Sequence, residues 1–261
     1  MPTEDFIIRI FLTIDNQMNK VKKHSQSQLY PSEIVTLAIL FAIKGVGCRA
    51  FYRWLKRDWV HLFPKLPERT RLFRLFATHR DWSDRFLASP TILGVIDSFG
   101  IELIHPIREG RSPKQIGKKG KSNYRWIVGG KFCLQLNQFG LIVDWDCSTA
   151  NVADKVFQPL IAKVEDKMVV FADQHFHAKT GDPRNLKLCP RGTWNDRMLV
   201  ETVFSMLTLI CHFKKMMHRK WTYFKMRLAF MVSAFNLLVQ FDGLKPDDAG
   251  FIPLSIAEYN L

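Results

Sequence analysis

Thr91-Ile-Leu-Gly-Val-Ile-Asp97 is the stretch on which the reading of this chain turns. Five apolar or small residues follow Thr91 and close on an acid, a run too short for a core helix and typical of a buried strand. Met168-Val-Val-Phe-Ala172 repeats the pattern and closes on Asp173. Two strands that stop at carboxylates deserve weight, because open α/β sheets build their sites at strand ends.

Working outward, Phe99 to Ile104 is expected to be the hairpin partner of the first run. Arg125 to Asn137 and Leu141 to Trp145 are expected to be two further strands, turning near Gln138-Phe-Gly140. Asp154 to Val164 is expected to be a crossover helix, with Asp154 as its cap. Residues 195–211 carry a helical pattern opened by Asn195 or Asp196, with Glu201 inside it, and the remainder to about Phe241 is helical and basic. Antiparallel strands, a crossover helix, one further strand and then helices make an α/β fold. The order matches an RNase H-like mixed sheet flanked by helices.

Before Pro90 the chain is expected to be helical over residues 31–89. Pro31-Ser32 opens an apolar stretch to Ile43, Gly45-Val-Gly47 interrupts it, and Ala50-Phe-Tyr-Arg-Trp-Leu55 resumes it. Helix, glycine turn, helix is the outline of a helix-turn-helix, and equally of two core helices packed at an angle. The expected organisation is therefore a helical region over 1–89, a catalytic core over 90–211 and a basic helical segment over 212–261.

Composition narrows the partners. The 261 residues are 47% hydrophobic, enough for a sizeable core. Lys and Arg number 38 against 24 Asp and Glu, a formal net charge of +14 that attracts polyanions, nucleic acid first. The longest apolar run, Ile34 to Ile43, falls well short of the ~20 residues that span a bilayer, and Glu4 and Asp5 are unlike a secretory signal. Five cysteines without a C-x-x-C pair fit reduced intracellular thiols and a cytoplasmic protein.

Phosphoryl transfer without an organic cofactor needs positive charge against the phosphate and an activated water or hydroxyl. Two Mg²⁺ ions about 3.5–4 Å apart supply both. Such hard ions take carboxylate oxygens in preference to histidine or cysteine. The chemistry asks for acids converging from separate elements, and Asp97, Asp173 and Glu201 are the candidates.

Val95-Ile-Asp97-Ser-Phe, Phe171-Ala-Asp173 and Trp194-Asn-Asp-Arg197-Met-Leu-Val-Glu201-Thr-Val-Phe-Ser-Met-Leu together resemble bacterial insertion-sequence transposases of the DDE class. The resemblance covers roughly residues 30 to 240. It implies that Asp97, Asp173 and Glu201 are the catalytic, metal-binding triad, holding Mg²⁺ with Mn²⁺ as a substitute. It also implies cleavage of double-stranded DNA at element ends and strand transfer into target DNA, with a homodimer on DNA as one arrangement. Many such enzymes carry Tyr-x2-Arg-x3-Glu-x6-Lys around the last acid. This chain keeps Arg197 and Glu201 but has Trp194 for the Tyr and Thr208 for the Lys. Arg197, one helical turn before Glu201, is then a phosphate contact, or else an ordinary i,i+4 partner.

Other readings remain open at this level. The protein is alternatively an inactive, domesticated DNA-binding protein, or an RNase H-like nuclease without a joining step. Asp173-Gln-His175-Phe-His177, on an extended strand, puts Asp and two His on one face and offers a rival metal site. Asp144 and Asp146 belong to an alternating strand and are expected to face solvent.

Two basic stretches complete the DNA reading. His105 to Arg125 holds Arg108, Arg111, Lys114, Lys118, Lys119, Lys121 and Arg125 against Glu109 alone, in a loop kept open by Gly110, Pro113, Gly117 and Gly120. Lys214, Lys215, Arg219 and Lys220 lie among Phe213, Trp221, Tyr223 and Phe224, aromatics expected in the core rather than stacked on bases.

Overall fold

A computed structural model describes residues 1–122, 125–190, 197–213, 216, 218–241, 243–246, 248, 252–259 and 261; for Arg197 and Met198 it describes the backbone. Its central element is β1, Leu93–Ile104. The strand does not stop at Asp97 and return as a hairpin. It runs on through Asp97 and Ser98 as one 12-residue strand, and its antiparallel partner is β3, Arg125–Asn137, in register from Gly94 opposite Asn137 to Glu102 opposite Gly129, with a one-residue shift before Ile104. The polar pair that reads as a strand end is mid-strand, where the ladder to β3 holds it.

On the far side of β3 two strands share one edge. β2, Lys118–Ser122, pairs along Arg125 to Gly129, and β4, Ile142–Thr149, along Gly130 to Leu136. The presence of β2 corrects the expectation of an open loop from His105 to Arg125: its last third is hydrogen-bonded strand. Gly140 turns β3 into β4 with φ +76°, a left-handed backbone that side chains resist. On the other side of β1 lie β5, Val169–Ala172, and β6, Leu186–Leu188, both parallel to their neighbours. The path β2-β3-β1-β5-β6, with β4 also on β3, is a mixed six-stranded sheet.

Side chains alternate across the sheet, so each strand feeds two cores. Ile96, Cys133, Val170 and Ala172 face Phe157, Leu160 and Ile161. These come from a 3-10 turn, Asp154–Phe157, and a short α5, Gln158–Ala162, which replace the single helix expected over 154–164. Val95, Ile101, Phe132, Leu134 and Leu136 face the opposite way, into a larger cluster. That cluster takes in α6, Arg197–Ile210, and α7, Trp221–Val239, and then α1, Thr3–Met18, α2, Pro31–Lys44, α3, Cys48–Asp58, and α4, Arg69–Thr78.

All three expected segments thus contribute to one buried cluster. α7, within the expected basic helical segment, is a central helix, buried from Met226 to Val239. An apolar circumference of that kind suits a helix surrounded by protein. Within it Asn236 is fully buried and satisfied: its Nδ2 donates to Phe86 O and Ile142 O at 2.8 Å each, and Ile142 N donates to its Oδ1 at 2.8 Å. These bonds lock α7 to the start of β4. Among the described residues no single helix is long and apolar enough to cross a membrane.

The N-terminal helices pack at an angle that suits both a helix-turn-helix and a pair of core helices. α2 and α3 meet at 115°, Gly45 closing α2 with φ +64°. α3 buries Phe51 and Leu55 in a ring cluster with Phe41 and Phe73, and leaves Arg49, Arg53, Lys56 and Arg57 exposed.

Candidate active site

Strand register brings the first two acids together. Val95 of β1 stands opposite Phe171 of β5 in a parallel ladder. Two residues further along each chain come Asp97 and Asp173, the first still on β1, the second immediately past the end of β5. Asp97 shares a sheet face with Val95 and Phe99, the face that α6 covers. Glu201 lies in the second turn of α6, exposed, with buried Val200, Val203, Phe204 and Leu207 anchoring the helix. The Phe204 ring packs on Phe99 with centroids 5.3 Å apart, so one aromatic contact locks the helix of Glu201 over the strand of Asp97. Asp97, Asp173 and Glu201, from three separate elements, line one cavity of about 1470 Å³.

Each strand acid has local support. Ser98 N donates to Asp97 Oδ1 at 2.7 Å. His175 N donates to Asp173 Oδ1 at 2.9 Å, and His175 Nδ1 lies 2.9 Å from Asp173 Oδ2. Among the described residues, no three Asp, Glu, His or Cys side chains stand close enough to ligate one ion as they are. The donor set nonetheless fits Mg²⁺ in kind, three carboxylates facing one water-accessible cavity.

Sequence reading missed three further residues of this cavity. Asp154 does not cap a helix; the turn it begins has no side-chain cap. Its Oδ1 accepts instead from Lys131 Nζ at 3.0 Å and from Ser98 Oγ. Ser98, Lys131 and Asp154 all line the cavity. Asp154 and Lys131 are 23 positions apart and on different elements, so no local pattern announces the pair. Asp146 faces solvent as expected, with Lys225 at 3.5 Å, whereas Asp144 is partly buried and accepts from Lys163 at 2.7 Å.

The histidine site does not assemble. Gln174–Phe176 is a 3-10 turn, so the same-face spacing of an extended strand is lost. His177 turns to Asp182, its Nδ1 2.7 Å from Oδ2, while His175 stays with Asp173. Asp182 also accepts from Ala178 N at 2.8 Å, and that bond, then the one to His177, holds its carboxyl below the usual range.

The basic side chains of this stretch, Arg108, Arg111, Lys114, Lys118, Lys119, Lys121 and Arg125, all face solvent. Lys121 lines the cavity, placing the end of β2 at its rim. Lys119 has Glu109 at 3.7 Å and Arg125 has Glu102 at 3.4 Å, surface pairs of the weak kind that a phosphate can displace. Arg219 and Lys220 are exposed ahead of α7. Lys214, Lys215, Trp194 and the side chain of Arg197 lie outside the described residues. Phe213 and Phe224 are fully buried and Trp221 and Tyr223 pack beside them, so these aromatics serve the core. Thr208 lines the cavity too, its Oγ1 donating to Phe204 O at 2.8 Å.

Compared with known proteins, the chain matches no family model and no curated sequence.

Proposed function

We propose that the chain is a DDE-type transposase that cuts DNA at element ends and transfers the freed 3′ ends into target DNA, in the cytoplasm at the nucleoid. The observation that carries this reading is the meeting of Asp97, Asp173 and Glu201 in one cavity, two of them in register on neighbouring strands. The sheet supports it. β4, β3 and β1 are antiparallel neighbours, followed by parallel β5 and β6, the layout expected of an RNase H-like core.

When bound, Mg²⁺ or Mn²⁺ supplies the charge that stabilises the entering and leaving oxygens of the phosphate and acidifies the attacking water or 3′ hydroxyl. The protein supplies the rest. Asp97, Asp173 and Glu201 offer hard oxygen donors from β1, the end of β5 and α6. His175 orients the Asp173 carboxylate, and the backbone of Ser98 orients that of Asp97. Packing of Phe204 on Phe99 keeps Glu201 on the face of Asp97. The basic residues from Arg108 to Arg125 give the DNA backbone a path to the cavity, with Lys121 at the rim. Phosphate contacts of this kind hold DNA of any sequence. Work on two DNA ends is compatible with a homodimer on DNA.

Product analysis tests the reading. The purified chain is incubated with supercoiled DNA, linear DNA carrying element ends, and Mg²⁺, and the products are resolved on denaturing gels. Joined strands are expected. Nicks without joining would leave a nuclease, and binding without either would leave an inactive DNA-binding protein.

A further inference from the structure

The cavity is rich in acid. Asp97, Asp154, Asp173 and Glu201 line it, while Lys121 and Lys131 are the lysines and arginines among its described lining residues. A DNA strand that enters brings further negative charge, so the position of each cation matters. Lys121 is exposed at the rim. Lys131 is set deeper: its side chain is only 15% exposed, and Asp154 beside it 17%.

The local architecture ties down the end of Lys131. It projects from β3 opposite Gly100 of β1, a position with no side chain to obstruct it. Its Nζ donates to Asp154 Oδ1, which also accepts from Ser98 Oγ, the residue next to Asp97. An ammonium has three donors, and one bond to Asp154 leaves two for other acceptors. Holding a long, flexible lysine in place beforehand removes much of the ordering cost that binding would otherwise carry. Among the residues of α6 whose side chains are described, Glu201, Phe204, Ser205, Met206, Thr208 and Leu209 line the cavity, and none of them is a cation.

We infer that Lys131 is a phosphate-contacting residue of this cavity, with Asp154 as the positioning residue that holds it toward the bound strand. The inference rests on the DNA-cutting reading and names the residue that meets the substrate backbone inside the site.

Binding of full-length protein to a random-sequence DNA duplex, in EDTA and over a range of salt, tests it without any need for turnover. Lys131→Gln should lower affinity about eightfold near 0.1 M salt and reduce the slope of log affinity against log salt by about 0.9. Lys131→Arg should keep the parental slope. A residue that merely neutralises Asp154 behaves differently: Lys131→Gln with Asp154→Asn would then restore parental binding and slope. On the phosphate-contact account the double variant stays as weak as Lys131→Gln. It also removes both partly buried charges together, so it remains a readable protein if the single variant does not fold. An unchanged slope in Lys131→Gln, or in the double variant, overturns the assignment of Lys131 while leaving the proposed function standing. A parent chain that neither binds nor cuts DNA overturns the proposed function, and this inference with it.

Discussion

The rings of Phe99 and Phe204 lie 5.3 Å apart, tilted by 36°, and each is within three positions of an acid of the site. The contact is what sets Glu201 above Asp97, so geometry at the site depends on packing that touches no substrate. Phe204→Ala is expected to destabilise the protein by about 3–5 kcal/mol, the usual cost of emptying a buried phenylalanine site. At a temperature where the variant is still folded, DNA cleavage should fall by roughly a hundredfold, because a shift of about 1 Å in a positioned group costs that much. Thermal melts and cleavage rates check the two halves separately. Parental cleavage in a folded Phe204→Ala would remove the packing from the account.

Asn236 carries the link between α7 and the sheet. Asn236→Leu keeps volume but takes the side-chain partner from Phe86 O and Ile142 N, while Ile142 O keeps its bond from Ala88 N. Orphaned buried groups cost about 1–3 kcal/mol each. A loss on the order of 3 kcal/mol in denaturant unfolding is expected, with little change in DNA affinity for the molecules that remain folded.

Burial, with the Arg227 guanidinium adding to it, pushes the His218 imidazole down to about 4. In the unfolded chain the same ring takes its proton near 6.5. As pH falls from about 6.5 to 4, the unfolded state therefore gains a proton that the folded state refuses, and stability is lost over that window. The full effect is about 3 kcal/mol. His218→Gln should flatten the stability profile there relative to the parent, measured by urea unfolding at several pH values. Parallel profiles would show that the ring is solvated.

The exposed lysines of β2 address the DNA path outside the cavity. Replacing Lys118, Lys119 and Lys121 with Ala leaves the backbone ladder to β3 in place and should remove about three phosphate contacts. Affinity should drop for all sequences alike, and the salt slope should fall by about 0.9 per contact. A triple variant with the parental slope would move the path to the other basic stretch, around Arg219 and Lys220.

Much of this was legible in the sequence, for reasons that differ by element. β3 is a long, largely apolar run that ends at a glycine turn, so its bounds could be read from Arg125 to Asn137. β5 is a short apolar run closed by an acid, and its end at Ala172 was equally plain. β1 misled because Asp97 and Ser98 look like a strand end; only pairing with β3, decided some 35 residues later, carries the strand past them. The Lys118–Ser122 strand was hidden for the same reason, since lysines and glycine have poor strand propensity and register with β3 overrides it. α1 repeats its apolar residues at Phe6, Ile7, Ile10, Ile14 and Met18, a helical signal that was present and not used. Of the candidate site, the three acids could be found from the ends of apolar runs and from resemblance. The Lys131–Asp154 pair could not, because it exists only once β3 and the turn after β4 are brought together.

The central claim is that Asp97, Asp173 and Glu201 act together in metal-dependent DNA cleavage. The most direct measurement is nicking of supercoiled DNA by the parent and by Asp97→Asn, Asp173→Asn and Glu201→Gln, each with Mg²⁺, with Mn²⁺ and with EDTA. Removing like charges from one cavity is not expected to destabilise the fold, so melts and DNA affinity should match or exceed the parent. The account predicts nicking by the parent in either metal, none in EDTA, and none by any of the three variants. Parental nicking by any one folded variant, or nicking by the parent in EDTA, would contradict it.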